Sequence, residues 1–424
     1  MRKILLVMLV LALVPGVVGC APAASADEVK SSEQRQTPAA PPSNELSELV
    51  NGNNTFAFDL YRQIRSDDEN LFFSPYSISV ALAMTYAGAR EETAREVARA
   101  MQFYLPSDSL HPAFNYLDQL LESRGEGAEG KDGEGFRLNA VNAIWGQKGH
   151  AFESDYLDVL ARNYGVGLRL VDFQTQPEPA RVTINEWVEQ QTESRIKDLI
   201  PQGSIDSLTR LVLTNAVYFN AAWESQFEES QTTQSAFYTL DGTLLTVPMM
   251  HQTASFGYLR GEGFQAVELP YDGNELAMLV ILPDEGRFQA VEDTISGAEL
   301  EELVTGLQWT RIALSMPRFG METSFELNAP LAALGMEAAF DPGRADFSGM
   351  DGTRDLYITD VVHKAFVEVD ESGTEAAAAT AVVVGQTSIP PDPVEVTIDR
   401  PFLFLIRDVQ TGTVLFLGRT MSIA

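Results

Sequence analysis

The chain has 424 residues, of which 45% are apolar, enough for a large buried core. It carries 29 basic against 60 acidic residues, a formal charge of −31, which argues against binding nucleic acid or another polyanion through a basic surface. The single cysteine excludes an intramolecular disulfide.

The chain starts with a targeting signal. Arg2 and Lys3 precede an apolar run, Ile4 to Val14, too short to span a bilayer as a stable helix. Val17-Val18-Gly19-Cys20 follows and resembles a bacterial lipobox. Cys20 is therefore the expected lipid attachment site, with plain secretion and cleavage near Ala24 or Ala26 as the alternative. Lipidation would tether the protein to a membrane surface outside the cytoplasm, on the cell envelope. The expected division is a signal peptide over 1–19, a flexible linker over 20–43 and a folded domain over 44–424. The linker reading rests on Ala21–Ser43, rich in Ala, Pro, Ser and Gln and without apolar periodicity. No linker-like break follows Asn44, so the length prior of two or three domains is set aside.

Asn44 can cap a first helix with Leu46, Leu49 and Val50 on its apolar face, and Phe56, Leu60, Tyr61 and Ile64 mark a second helical stretch. Ser74-Pro75 combines a capping hydroxyl with proline in the first turn, so a helix follows over Tyr76–Tyr86. That helix is apolar nearly all round and should be buried. Glu91–Met101 reads as a surface helix, and the Gly-Glu run over 123–135 as a solvated loop without phosphate-binding character. Phe136–Trp145 and Arg210–Phe219 read as strands, with an amphipathic helix over Asn185–Ile200 between them. From Phe256 the pattern is mostly β, with strands over Ala266–Tyr271, Glu275–Leu282, Arg311–Met316, Asp360–Val369, Val394–Ile398, Phe402–Arg407 and Val414–Gly418. Helices early and strands late indicate an α+β fold with large sheets.

Enzymatic motifs are missing. The four histidines are His111, His150, His251 and His363, and neither Gly-x-Ser-x-Gly nor His-Glu-x-x-His occurs. No thiol nucleophile remains once Cys20 is lipidated, and the potential metal ligands are scattered. No enzyme activity, metal or cofactor is expected.

The most informative stretch is Glu371-Ser372-Gly373-Thr374-Glu375-Ala376-Ala377-Ala378-Ala379-Thr380-Ala381. As a strand starting at Thr374, its inward face would be Thr374, Ala376, Ala378, Thr380, Val382 and Val384, all small or β-branched. The only charge, Glu375, falls on the outward face, and no proline interrupts Thr374–Thr387. An alanine-rich solvated loop or short helix is the plainer reading of the same composition.

The tract resembles the mobile hinge of a serpin, the family of serine protease inhibitors that trap proteases by inserting a cleaved loop into a sheet. Four further motifs carry the resemblance from about Asn44 to Ala424: Phe72-Phe73-Ser74-Pro75-Tyr76-Ser77-Ile78; Leu213-Thr214-Asn215-Ala216-Val217-Tyr218-Phe219 with Trp223; Val362-His363-Lys364-Ala365; and Asp399-Arg400-Pro401-Phe402-Leu403-Phe404 with Gly412 and Leu415-Phe416-Leu417-Gly418-Arg419. The resemblance implies a serpin fold, with helices on large, mostly antiparallel sheets and an exposed reactive loop that can insert into the central sheet. It puts Ser74, Ser77, Asn215 and His363 in the shutter beneath that sheet and Trp223 in the breach where the loop enters. The bare residue reading makes His363 a satisfied core histidine and Trp223 a core tryptophan. By the family's spacing the scissile bond is Thr387–Ser388, with Gln386 or Val384 open as alternative attacked residues. A small β-branched Thr387 suits the shallow pocket of an elastase-like serine protease, with subtilisin-like or cysteine proteases as further partners. A monomer is expected. A non-inhibitory serpin, acting as carrier, chaperone or protease substrate, is the alternative reading.

Overall fold

The computed structural model describes residues 26–66, 68–127, 137–374 and 392–423. The first half contains β1 (Asp27–Val29), α1 (Ser43–Ile64), β2 (Leu71–Phe73), α2 (Pro75–Tyr86), α3 (Glu91–Ala100), α4 (Ser107–Glu122), β3 (Arg137–Gln147), α5 (Ser154–Tyr164), β4 (Leu168–Val171), α6 (Pro177–Gln191) and β5 (Leu211–Ala222). The second half is mainly strand: β6 (Thr233–Tyr238), β7 (Leu244–Arg260), β8 (Phe264–Pro270), β9 (Leu276–Pro283), β10 (Gln308–Pro317), β11 (Phe319–Glu326), β12 (Ile358–Val369), β13 (Gly373–Thr374), β14 (Val394–Thr397), β15 (Phe402–Asp408) and β16 (Val414–Thr420). One sheet of seven strands runs β1-β4-β3-β5-β13-β12-β11, and a nine-stranded sheet contains the remaining strands.

The seven-stranded sheet is buried on both faces at its centre, and every residue of β5 is buried. Leu211, Leu213, Val217 and Phe219 point into the main core beneath α1 and α2, while Val212 and Ala216 pack with Ile184 and Val188 of α6 on the other face. A strand so covered must be apolar on both sides, which is why it reads as a nearly continuous hydrophobic run. The helix after Ser74 is buried as its composition requires, and the Ser74 hydroxyl accepts from the Ser77 amide at 3.2 Å to cap it.

Several expectations change. The first two helical stretches are one helix, α1, and it starts at Ser43 behind Pro42, so Asn44 lies in its first turn and is not its cap. The helix expected over Asn185–Ile200 lies earlier, over Pro177–Gln191. Pro177 is pre-organised for the first turn, and positive φ at Glu193 and Ser194 ends the helical path. Asn185 then uses its amide to bond the Ile200 carbonyl at 3.0 Å and the Ile200 amide at 2.9 Å, holding the following segment against the helix.

The linker reading also changes. Residues 26–42 lie on the body. β1 adds to the edge of the seven-stranded sheet beside β4. Arg35 donates to Asn115 at 3.0 Å, to Asp118 at 2.5 Å and to Glu122 at 2.9 Å, all on α4. Asn115 and Gln119 donate back to the Gln36 carbonyl. Composition missed this because the holding forces are backbone pairing and polar contacts, which leave no apolar period.

Candidate functional site

Between β5 and β12 the seven-stranded sheet has a seam with two parts. Over most of its length the two strands pair directly and in parallel, from Ile358 opposite Leu211 to Phe366 opposite Tyr218. Above that, β13 sits between them. Gly373 lies opposite Ala222, and Thr374 lies opposite both Ala221 and Val369, antiparallel to both neighbours. Two residues of the segment leading into the alanine tract are thus already strand.

Gly373 is required here. A Cβ on it would come within 2.1 Å of the Ala221 carbonyl oxygen and 2.7 Å of Ala222 Cα. Thr374 is fully buried, and its hydroxyl is 2.9 Å from that of Tyr271. Burial pushes the Tyr271 hydroxyl's pKa up, partly offset by the bond to Thr374, so Tyr271 stays neutral. The Tyr271 ring stacks on Trp223 at 4.6 Å. Trp223 in turn donates its indole N–H to the Asp370 carbonyl at 2.9 Å and its backbone N–H to Ser372 O at 2.9 Å. Glu371 is held from the side by Arg318 at 2.6 Å and the Thr232 hydroxyl at 2.6 Å. Burial alone would raise the Glu371 carboxyl, but the Thr232 and Arg318 hydrogen bonds outweigh it and hold it below the usual carboxylate value.

Farther down the same seam lies a second polar cluster. His363 of β12 and Asn215 of β5 are direct neighbours across it, and His363 Nδ1 bonds Asn215 Oδ1. The other ring nitrogen, Nε2, accepts from the Ser74 amide at 3.3 Å, so the proton belongs on Nδ1 and the ring is neutral. Asn215 donates to the Ser77 hydroxyl at 2.5 Å and to Asn142 Oδ1. Ser77 donates to Asn142 at 3.1 Å, and the Ser74 hydroxyl to the Leu415 carbonyl at 2.7 Å. Complete burial lowers the His363 pKa to about 3. The network ties β3, β5, β12, β16 and α2 together beneath the closed part of the seam.

The family model for serpins, serine protease inhibitors, matches residues 51–423. The chain belongs to the serpin family. It is 43% identical over 376 residues to an uncharacterised serpin-like protein of Thermococcus kodakarensis, covering 88% of this chain and 85% of that one. It is 38% identical over 393 residues to the human leukocyte elastase inhibitor, covering 89% of this chain and all of that one. Among solved structures, the thermophilic serpin tengpin in its native state superposes with a TM-score of 0.83 at 28% identity, over 94% of this chain and all of that one. The serpin fold is thus shared as well as the sequence.

The structure brings Ser74, Ser77, Asn215 and His363 into one cluster, and Trp223, Glu371, Gly373 and Thr374 into another. Glu375, Ala376, Ala377, Ala378, Ala379, Thr380, Thr387, Ser388 and Cys20 lie outside the described residues. Sequence reasoning missed Asn142, Tyr271, Arg318 and Thr232. Asn142 carried a signal, since it interrupts the alternating face Leu138, Ala140, Ile144 of β3. Tyr271, Arg318 and Thr232 carried none, because only the fold brings them to the seam. Among the described residues no group of three potential metal ligands comes together, and no helix is long and apolar enough to cross a membrane.

Proposed function

We propose that this serpin is a suicide inhibitor of serine endopeptidases of the elastase type. The protease would attack the carbonyl of Thr387 and form an acyl-enzyme. The freed loop would then zip into the seam from Thr374 downward, carrying the protease with it before deacylation. The observation that carries this reading is the position of Gly373 and Thr374. Insertion needs no nucleation step, because its first rung is already paired to both neighbours. The likeness to the leukocyte elastase inhibitor and the small side chain of Thr387 support an elastase-type target. The signal-like start of the chain and Cys20 support a lipid-anchored protein of the cell envelope, acting outside the cytoplasm.

The test is to mix the domain with a pancreatic-type elastase and run denaturing gels with mass spectrometry. The expected result is a covalent complex and a released peptide starting at Ser388. Faster inhibition of trypsin than of elastase would reject the assignment of target class, since no Arg or Lys lies between Glu371 and Pro393. Cleavage without any complex would favour the non-inhibitory alternative.

A further inference from the structure

The register of the seven-stranded sheet fixes where the N-terminal chain leaves the body. Asp27 pairs with Leu170, Leu170 with Gly146, and Gly146 with Leu211, so these four residues form one rung across β1, β4, β3 and β5. The hinge lies ten residues farther along β5, where Thr374 pairs with Ala221. Ten residues of strand span roughly 33 Å. β3 runs from the hinge end, where Arg137 pairs with Asn220, towards this rung, and β4 runs parallel to it. β1 is antiparallel to β4, so Asp27, its first residue, is the end of β1 farther from the hinge. The described strap therefore begins at the pole opposite the hinge.

Only six residue steps separate Cys20 from Ala26. They reach at most about 20 Å. The next stretch adds no slack, because it is fastened to the body. Lys30 donates to the Gly165 carbonyl at 2.7 Å, the Ser31 hydroxyl to Asp158 at 2.5 Å, and Arg35 to α4. Arg162 pairs with Glu33 at 3.3 Å, and the Gln36 amide with the Arg162 carbonyl at 2.9 Å.

The same register fixes where a trapped protease would arrive. Thr374 opposite Ala221 sets the pairing, and continuing it antiparallel down β5 brings Val384 opposite Leu211, on the rung of Asp27. Thr387 would lie three residues beyond, roughly 10 Å past that rung, and four strand spacings, about 19 Å, to the side of β1. A protease of about 240 residues is roughly 45 Å across. It would be delivered beside the point where a leash of less than half that length leaves the body.

We propose that Ala26–Pro42 is a zipped leash that holds the loop-distal pole of the lipidated protein against the bilayer, so that membrane attachment opposes delivery of the trapped protease to that pole. This rests on the inhibitor and lipid-anchor readings above. The hinge end of the sheet then faces away from the membrane, so first attack is unhindered and only the later translocation competes with the bilayer. Delayed translocation gives the acyl-enzyme time to hydrolyse, and the inhibitor is then consumed as substrate. Peeling the strap would free seventeen further steps, from Ala26 to Ser43, up to roughly 55 Å of chain, and remove the conflict.

The full lipidated protein is to be compared in detergent and in electrically neutral phosphatidylcholine vesicles, with elastase added outside. Covalent complex and cleaved product are quantified on denaturing gels. The ratio of complex to cleaved product should fall at least threefold on vesicles at an unchanged rate of loop cleavage. A flexible Gly/Ser insert of about 40 residues between Ser25 and Ala26, with a mean reach of roughly 35 Å, should restore it. Arg35→Ala, which loosens the strap, should shift it in the same direction. Equal ratios in detergent and on vesicles would overturn the proposal. Absence of complex in detergent would instead overturn the inhibitor reading, and failure to float with vesicles the anchor reading, and either removes the basis for the leash.

Discussion

At the scale of single residues, the seam is guarded by a histidine that must stay uncharged. His363 accepts a backbone proton at one nitrogen and donates at the other, so a second ring proton would meet the Ser74 amide head-on. Burial adds the cost of an unsolvated charge. The sign of the pH effect follows from the lowered pKa. The unfolded side chain titrates near its ordinary 6.5 and the folded one near 3. The stability it contributes is fully present above pH 6.5 and is lost as pH falls towards 3, at about 1.4 kcal/mol per pH unit within that window. His111, lowered to about 4 by burial, acts in the same direction elsewhere. Comparison with His363→Gln isolates the seam, because His111 is common to both proteins. Denaturant unfolding should show wild type more stable at pH 7.5, with its advantage shrinking by roughly 2 kcal/mol or more by pH 4.5. A pH-independent difference would mean that His363 is not held neutral.

At the scale of elements, β13 decides how the hinge behaves. Its two residues join the sheet because Gly373 lets the backbone pass against Ala221 and because Thr374 is small enough to be covered while its hydroxyl finds Tyr271. Thr374→Arg would require a guanidinium in that covered position, where an unpaired charge costs many times the hydrogen bond it displaces. The segment should then stay out of the sheet, and loop entry should lag behind deacylation. Titration with elastase should show the inhibitor requirement per protease rising severalfold, with cleaved product in place of complex. An unchanged stoichiometry would reject Thr374 as the first inserted rung. The elements of this site differed in how plainly they could be read. β5 and β12 were visible as apolar runs, α2 through its Ser-Pro cap, and the polar cluster through side chains set on otherwise apolar faces. α6 was displaced because Asn185 and Ile200 look periodic in sequence but meet through a side-chain bond across a turn. The strap over 26–42 was invisible because Arg35 and its partners on α4 are some eighty residues apart, and composition is blind to such pairing.

At the scale of the whole molecule, the sheet is complete in its present form, and the proposed mechanism requires a more favourable alternative. Below Thr374 the seam is a single parallel ladder between β5 and β12, and one inserted strand would replace it with two antiparallel ladders. Antiparallel pairing is somewhat the more stable per residue, and the exchange converts one row of backbone bonds into two. On that mechanism, continuity would prevent the exchange: Thr374 is paired in the sheet, β14 is paired to β10, and the His363–Asn215 bond closes the seam between β5 and β12. The present form would then be held by a barrier, and cutting the loop would remove one tie. Cleavage by a protease that is not trapped should therefore raise the thermal midpoint. For a domain of about 380 residues, each 10 kcal/mol of net gain shifts the midpoint by roughly 12 °C, so a rise of that size or larger is expected when intact and nicked protein are heated side by side. A nicked protein that melts where the intact one does would mean that the seam stays shut after cleavage. In that case the β13 wedge would be a static feature of the fold, and the chain would be a serpin that presents its loop without using it.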